Sequence, residues 1–576
     1  MNLVGDFDLA GKNVAILNRT QKMSPVSSTM SLRERVAPLI KGDAADDAAT
    51  LSTYSHDASI FEKKPALVVS PKDAGDISAL VRFANSAQER GGVISLTARA
   101  AGTDMSGGPL SESIIVSFTK YMGRIIDIGS DYAITEPGAY YRDFEKATLA
   151  KTGKLLPPYP ASRELATLGG MIANNAGGEL TLRFGKMDRF VRELEVVLSD
   201  GSEATLRPLS LQELEAKKNQ GDLEGKIHRD IHALIEKNSG EIESARPTVS
   251  KNSSGYALWD VWNQTNNTFD LTRLITGSQG TLALITRAKL KLEKQESHRG
   301  MLVVFVSDLN VLPELVRRIR AFEPESFESY DDNTFKLATR FAGDFLKQMG
   351  LLDAFRLGVA FLPELWMTLT GGIPKLVLLA EFAERSDTEA QRKVREAENA
   401  IRELPVRTRN AFGMMEDKYW KIRRESFALL RKHVHGLRAA PFIDDIVVHT
   451  GDYPRFLPEL QALLSEYKIM YTIAGHIGDG NFHIIPLVDL KRPEHHKIIL
   501  ELTPRVYKLV ERYKGSISGE HNDGILRTPY LPLMFSPRMI ELFADVKKIF
   551  DPLNIFNPGK KVGGTFADME RYMMKR

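Results

Sequence analysis

His476-Ile477-Gly478-Asp479-Gly480-Asn481-Phe482-His483, with Ser518-Gly519-Glu520-His521 further along, holds the residue types in this chain best suited to chemistry. Asp479-Gly480 suits a two-residue hairpin loop, because both central residues accept positive φ. With the turn there, Gly478 is expected to face Asn481, Ile477 to face Phe482, and His476 to land opposite His483. Opposed residues of an antiparallel pair share a face, with β-carbons about 5 Å apart. Two imidazoles so placed can hold one divalent cation, with Glu520 as a third, oxygen ligand. His521 is then left as a neighbouring base, its unperturbed pKa of about 6.5 lying near working pH, or as a fourth ligand. The plainer alternative is a pair of hydrogen-bonded hairpin histidines without a metal.

Three runs of small residues accompany this pair of motifs: Ala98–Gly108, Thr167–Gly178 and Thr276–Leu282. Small side chains let consecutive backbone N–H groups approach a phosphate. Neither the G-x-G-x-x-G fingerprint nor the Walker A spacing is present. One such loop is more often a plain turn; three in one unit suggest a long, flat ligand laid against backbone.

The elements that must position these residues follow from periodicity. A strand is expected at Ala66–Ser70, a helix at Asp73–Ser86 and a strand at Val93–Leu96, just before the first glycine-rich loop. Beyond Arg299 the texture changes to a strand at Met301–Val306, a helix at Val311–Ala321, a strand at Lys375–Phe382 and charged helices at Glu389–Glu403 and Glu416–His433. The chain of 576 residues is too long for a single core. The expected division is an N-terminal extension (1–30), a ligand-binding unit with a helical lead-in (31–297), a second unit (298–499) and a C-terminal segment (500–576). His433, His435 and His449 are expected at helix ends or the surface, and Asp444-Asp445 at a strand start.

Composition excludes several classes. A net charge of +3 gives no reason to invoke nucleic acid. The absence of cysteine excludes disulfides, cysteine-ligated iron–sulfur clusters, thiol nucleophiles and cysteine-linked flavin. No apolar h-region opens the chain, so no signal peptide is expected. Leu357–Leu379 is interrupted by prolines, glycines and charges, which argues against a bilayer span. Phe355, Phe361, Leu362, Leu365 and Trp366 leave room for a membrane-surface patch. The expected location is cytoplasmic, or peripheral at the inner face of a membrane.

Taken in order, these segments resemble the flavin domain of the vanillyl-alcohol oxidase/p-cresol methylhydroxylase (PCMH) superfamily, in its branch of D-lactate dehydrogenases, glycolate oxidase flavin subunits and D-2-hydroxyglutarate dehydrogenases. The likeness rests on Tyr54–Ser59, Pro65–Pro71, the loop ending at Gly108, Gly169-Gly170 with Asn174–Gly178, Arg183-Phe184-Gly185, Leu194–Gly201, Lys251–Tyr256, Gly277–Leu282 and both histidine motifs, over roughly residues 50–565. The resemblance implies an α+β fold: a two-subdomain PCMH-type FAD-binding domain, a substrate (cap) domain of antiparallel sheet and helices, and a C-terminal helical segment. It also implies FAD, with Ala101, Gly102, Thr103, Asp104, Met105 and Ser106 at the pyrophosphate and Ser162, Thr167, Gly169, Gly170, Asn174, Gly177 and Ile285 at other parts. Residues 97–110 hold no histidine, so non-covalent FAD is expected. The family's Trp-x-x-Arg stretch, here Trp420-Lys421-Ile422-Arg423, nominates Arg423 to clamp a substrate carboxylate, with Arg99 in support. Asn522 stands where relatives usually carry Gly.

The implied activity is metal-assisted oxidation of a D-2-hydroxy acid, D-lactate foremost. Hydride passes to flavin N5 and electrons then go to a quinone, cytochrome or flavoprotein acceptor. Zn2+ is the first expectation for the metal on His476, His483 and Glu520, and Mn2+ or Fe2+ would also suit two His and a carboxylate. The alternatives are a flavin subunit of a glycolate or D-2-hydroxyglutarate dehydrogenase assembly and, from another class, a flavin-free zinc hydrolase.

Overall fold

The computed structural model describes residues 30–332, 374–433 and 437–575, the side chains of 425–433 excepted. The expected extension up to residue 29, the Phe355–Trp366 patch and His435 lie outside the described residues.

The chain is α+β. Leu67–Ser70, Ile114–Ser117 and Leu96–Arg99 form a parallel core, edged by antiparallel Asp43–Ala45. Leu67, Val69, Ile114 and Val116 are wholly buried, as a parallel sheet requires. The crossover helix Ala74–Glu89 is capped by Asp73, whose side chain accepts from Asp76 N. The strand expected at Val93 starts later, at Leu96: Gly91 takes φ +78°, and Val93 is 89% exposed. A second, five-stranded antiparallel sheet runs Ile125–Ile128, Tyr132–Thr135, Leu284–Lys291, Val191–Val197, Glu203–Leu206.

The largest sheet is antiparallel throughout its described part. Its order is Arg407–Ala411, His298–Val306, Leu376–Glu384, Ser326–Asp331, Met470–His476, Asn481–Val488, Arg438–Ala439, with Ile446–Val447 also pairing with Asn481–Val488. Side-chain alternation divides its faces. Leu302, Val304, Phe327, Leu378 and Ile484 pack under helices Leu312–Arg320, Asp387–Ala400, Tyr453–Ser465 and Pro493–Arg512. Met301, Val303, Tyr330, Leu379 and Ala474 face the other way, against Tyr419 and Trp420 of helix Met414–His433. Glu328 and His476 share the parity of Tyr330 and Ala474, so they lie on this second face.

The C-terminal segment returns to the first unit. Phe535, Leu542, Phe543 and Phe550 join the core containing Leu194 and Leu282. Phe556 then bridges Leu96 in parallel, and Asn557 Nδ2 donates to Gly108 O at 3.0 Å and Gln279 O at 2.7 Å. Among the described residues no helix is long and apolar enough to cross a membrane.

Candidate active site

The histidine hairpin forms with a register different from the expected one. His476 pairs with Asn481, Gly475 with Phe482 and Ala474 with His483, around a 3-10 turn at Ile477–Asp479. Tertiary contacts overrule the two-residue loop: Ile477 is fully buried, its carbonyl accepts from Tyr453 Oη at 2.6 Å, and Ser250 Oγ donates to Asp479 O. Gly480 takes φ +75°, and a β-carbon there would meet Val448 O at 1.9 Å. Because the register moves by two residues, the side-chain parity survives. His476 and His483 become diagonal neighbours on one face, ring centroids 5.2 Å apart.

Glu520 joins them. Its Oε1 lies 3.3 Å from His476 Nε2, 3.4 Å from His483 Nε2 and 4.0 Å from His521 Nε2. Each imidazole is turned inward by a carboxylate on its far nitrogen. His476 Nδ1 meets Glu328 Oε1 at 2.5 Å, His483 Nδ1 donates to Asp444 Oδ1 at 3.1 Å, and His521 Nδ1 lies 2.9 Å from Asp444 Oδ2. Such partners fix the ring orientation and make the inner nitrogen a better ligand.

Asp445, at φ +66°, lies close enough to His483, Glu520 and His521 to share a cation with them. Its oxygens are engaged: Oδ1 accepts from Asn481 Nδ2, and Oδ2 accepts from Ser518 Oγ, Glu520 N and His521 N. Asp445 therefore shapes the Ser518–His521 loop. Asn522 follows at φ +69°, a conformation Asn tolerates, with Nδ2 donating to Gly277 O at 2.8 Å.

With the outer nitrogens of His476 and His483 donating to Glu328 and Asp444, their inner nitrogens present lone pairs toward Glu520 Oε1, and His521 Nε2 lies 4.0 Å from the same oxygen. Acceptors facing acceptors need positive charge between them. Burial works against charging these rings, yet all three have raised pKa values. Glu328 raises His476, Asp444 raises His483 to about 10, and Asp445 with Asp444 raises His521. A divalent cation or protons on the imidazoles would supply the charge; two or three His and a carboxylate fit the former.

Arg423 reaches the same network, its Nη2 3.1 Å from Glu328 Oε2. Arg424, one residue further along the same helix, points elsewhere. It pairs with Glu179 at 2.6 Å and stacks on Trp420. Arg99 is engaged away from the cluster, donating to Tyr54 O at 3.1 Å and His56 O at 2.5 Å. Lys251, the first residue of the Lys251–Tyr256 segment, puts Nζ 3.3 Å from both Glu520 Oε2 and Asp479 Oδ2. His449 Nε2 meets Thr248 Oγ1 at an exposed site.

Beside this cluster the glycine-rich segments converge. Asp104 braces its own loop, accepting from Ser106 N, Gly108 N and Asn174 Nδ2. Ser106 faces inward, its carbonyl accepting from Ile525 N and Leu526 N. Among the described residues, no acceptor engages the amides of Ala101, Gly102, Thr103, Asp104 or Met105, all half-buried. That run of free donors fits a pyrophosphate. Gly170 brings the helix Leu168–Asn174 against Ala100, where a β-carbon would lie 3.1 Å from Ala100 Cβ, and Gly169 packs on Pro137. Thr167 Oγ1 is buried without a partner, a polar atom left for a ligand. Ser162 is half-buried, its carbonyl accepting from Leu165 N and Ala166 N, and Ile285 is 9% exposed opposite Val196. Gly177 joins the two regions: a β-carbon there would sit 2.8 Å from Glu520 Oε2. These donors and glycines fit an FAD, whose pyrophosphate the free amides of Ala101–Met105 would hold.

Residues 65–207 match the FAD binding domain model, and residues 295–561 match the model of the C-terminal domain of FAD linked oxidases. The D-2-hydroxyglutarate dehydrogenase of Escherichia coli (strain K12) is 29% identical over 90% of this chain and 50% of its own length. The D-lactate dehydrogenase of Archaeoglobus fulgidus is 28% identical over 88% of this chain and 96% of its own. The chain thus spans about half the length of the first curated relatives it matches. In fold it is similar to 4-ethylphenol oxidase from Gulosibacter chungangensis, with TM-score 0.64, 15% identity, and 91% of this chain and 95% of the other covered. With an FAD binding domain followed by the C-terminal domain that accompanies it, the chain belongs to the FAD-linked oxidases.

Proposed function

We propose that this chain oxidises a D-2-hydroxy acid, D-lactate first among candidates, to the 2-oxo acid and passes the electrons to a non-NAD acceptor. The observation that carries this reading is the convergence of three carboxylate-oriented imidazoles on Glu520 Oε1 beside the glycine-rich segments. FAD would supply a hydride acceptor for the hydrogen of C2, and a divalent cation, which His476, His483 and Glu520 would hold, would supply charge withdrawal from the substrate hydroxyl. His521 accepts the hydroxyl proton at Nε2, its ring fixed from behind by Asp444. Arg423 binds the substrate carboxylate, with Glu328 setting its approach and orienting His476. Asp445 holds the His521 backbone in place.

A second reading makes the chain the flavin subunit of a glycolate or D-2-hydroxyglutarate dehydrogenase assembly, favoured by its matching 97% of the length of the glycolate oxidase subunit GlcD of Bacillus subtilis. The matched FAD domain leaves the flavin-free hydrolase without support. Anaerobic bleaching of the flavin absorbance by a panel of D- and L-2-hydroxy acids tests the main reading. Bleaching should be confined to D-enantiomers and be blocked by chelation; no bleaching by any of them would refute it. Turnover of the isolated chain with an artificial acceptor distinguishes the second reading.

A further inference from the structure

Glu520 turns its two oxygens to different partners. Oε1 faces the inner nitrogens of His476, His483 and His521. Oε2 accepts a hydrogen bond from Lys251 Nζ at 3.3 Å. The Lys251 side chain is wholly buried, and Nζ also pairs with Asp479 Oδ2 at 3.3 Å. Gly177 closes on the same oxygen.

The lysine is held by its surroundings. Ser250 Oγ donates to Asp479 O, Ser253 N donates to Ser518 O at 2.8 Å, and Ser253 Oγ donates to Gly519 O at 3.1 Å. The segment around Lys251 is thereby stitched to both chemical motifs at once, and its ammonium is fully buried.

A carboxylate can give a cation one oxygen or two. An ammonium bonded to one oxygen competes for that lone pair and repels a cation approaching it. A 2-hydroxy acid carries a hydroxyl and a carboxylate oxygen on adjacent carbons, so it can grip a cation through both when two positions are left open. Resting on the metal-assisted reading above, we propose that Lys251 is a positioning residue that restricts Glu520 to one-oxygen ligation and so keeps coordination positions for both oxygens of the substrate.

This role has an unusual sign. A buried lysine that only supports packing would, when replaced, loosen the site and weaken metal binding. Lys251→Met should instead bind the cation more tightly, on the order of tenfold, because a like charge is gone and Glu520 Oε2 is released. The substrate should then compete poorly, with the concentration needed for half-maximal flavin bleaching rising about tenfold or more.

The test titrates Mn2+ into chelator-treated, FAD-loaded wild type, Lys251→Met and Lys251→Gln, reading free Mn2+ by electron paramagnetic resonance and fold by the bound-flavin spectrum. Tighter Mn2+ binding with weaker substrate binding in a folded variant is the expected result. Unchanged or weaker Mn2+ binding in a flavin-bearing variant would overturn the role of Lys251 while leaving the metal reading intact. No Mn2+ bound by the wild type would overturn both. A crystal structure of Mn2+-loaded wild type gives a check that needs no variant. One Glu520 oxygen within about 2.3 Å of the ion supports the proposal, and both within about 2.6 Å refute it.

Discussion

Asp444 serves two imidazoles with one carboxylate, Oδ1 on His483 and Oδ2 on His521. A proposed ligand and the proposed base therefore share an anchor, and the chain can separate their roles by substitution. His521→Ala should cut turnover by about 10²–10⁴-fold while metal and flavin contents stay at the wild-type level. Loss of the metal in that variant, by elemental analysis, would make His521 a fourth ligand instead of the base. Asp444→Asn should act on both sites: an amide cannot accept from two rings as a carboxylate does, so metal affinity should fall about 10–100-fold together with turnover. Unchanged affinity in a Mn2+ titration would show that the rings hold their orientation without the charge.

At the scale of elements, the turn between the two histidine strands shows how local and tertiary preferences divide the work. Asp479-Gly480 suggests a tight loop, yet burial of Ile477 and the close approach of Val448 O to Gly480 set a longer one. Only the period-2 alternation passes from sequence to structure unchanged, and that suffices to keep both histidines on one face. Gly480→Ala tests this turn: the left-handed φ costs about 1–2 kcal/mol, and the clash with Val448 O forces the loop to move. Metal retention should drop while flavin stays bound, because Ala101–Ser106 lies on another unit; full metal content would show that the loop does not position His476 and His483.

The same contrast explains what was legible. The glycine-rich runs announced themselves because closeness of backbone to ligand demands small residues. Asp444-Asp445, between Phe442-Ile443 and Ile446-Val447, carried a signal that could have been used: adjacent carboxylates in an apolar stretch need buried partners. Lys251 stands in a segment that carries the resemblance, but neither its pairing with Glu520 nor Glu328's with His476 is legible, since these partners are distant in sequence and only packing brings them together. Val93 misled, because its β-branched neighbours look like a strand while Gly91-Gly92 is still turning the chain.

Over the whole molecule, the junction between the two units is a titrating one. Past the strand Leu284–Lys291 the chain reaches Gln295 and Arg299, which meet Glu325 at 3.0 and 3.1 Å; Arg299 also pairs with Glu381 at 2.9 Å. Arg183 of the first unit donates to Ala383 O of the second at 3.2 Å. Burial pushes the Glu325 carboxyl up to about 7, Arg299 opposing and Glu381 adding to it, and Oε1 has no partner. An unfolded glutamate titrates near about 4.3, so between about 4.3 and 7 the folded chain keeps a proton that the unfolded chain has lost. The stabilisation linked to that proton is complete below the lower value and disappears as pH rises through the upper one. One proton corresponds to about 1.4 kcal/mol per pH unit, with about 4 kcal/mol across the window as an upper bound. Glu325→Gln keeps a neutral head at every pH. Its melting temperature should match the wild type near pH 4.5 and exceed it by several degrees near pH 7.5, measured by calorimetry at equal flavin loading. Parallel curves for the two proteins across that range would mean that Arg299 keeps Glu325 ionised and that the junction is a plain ion pair.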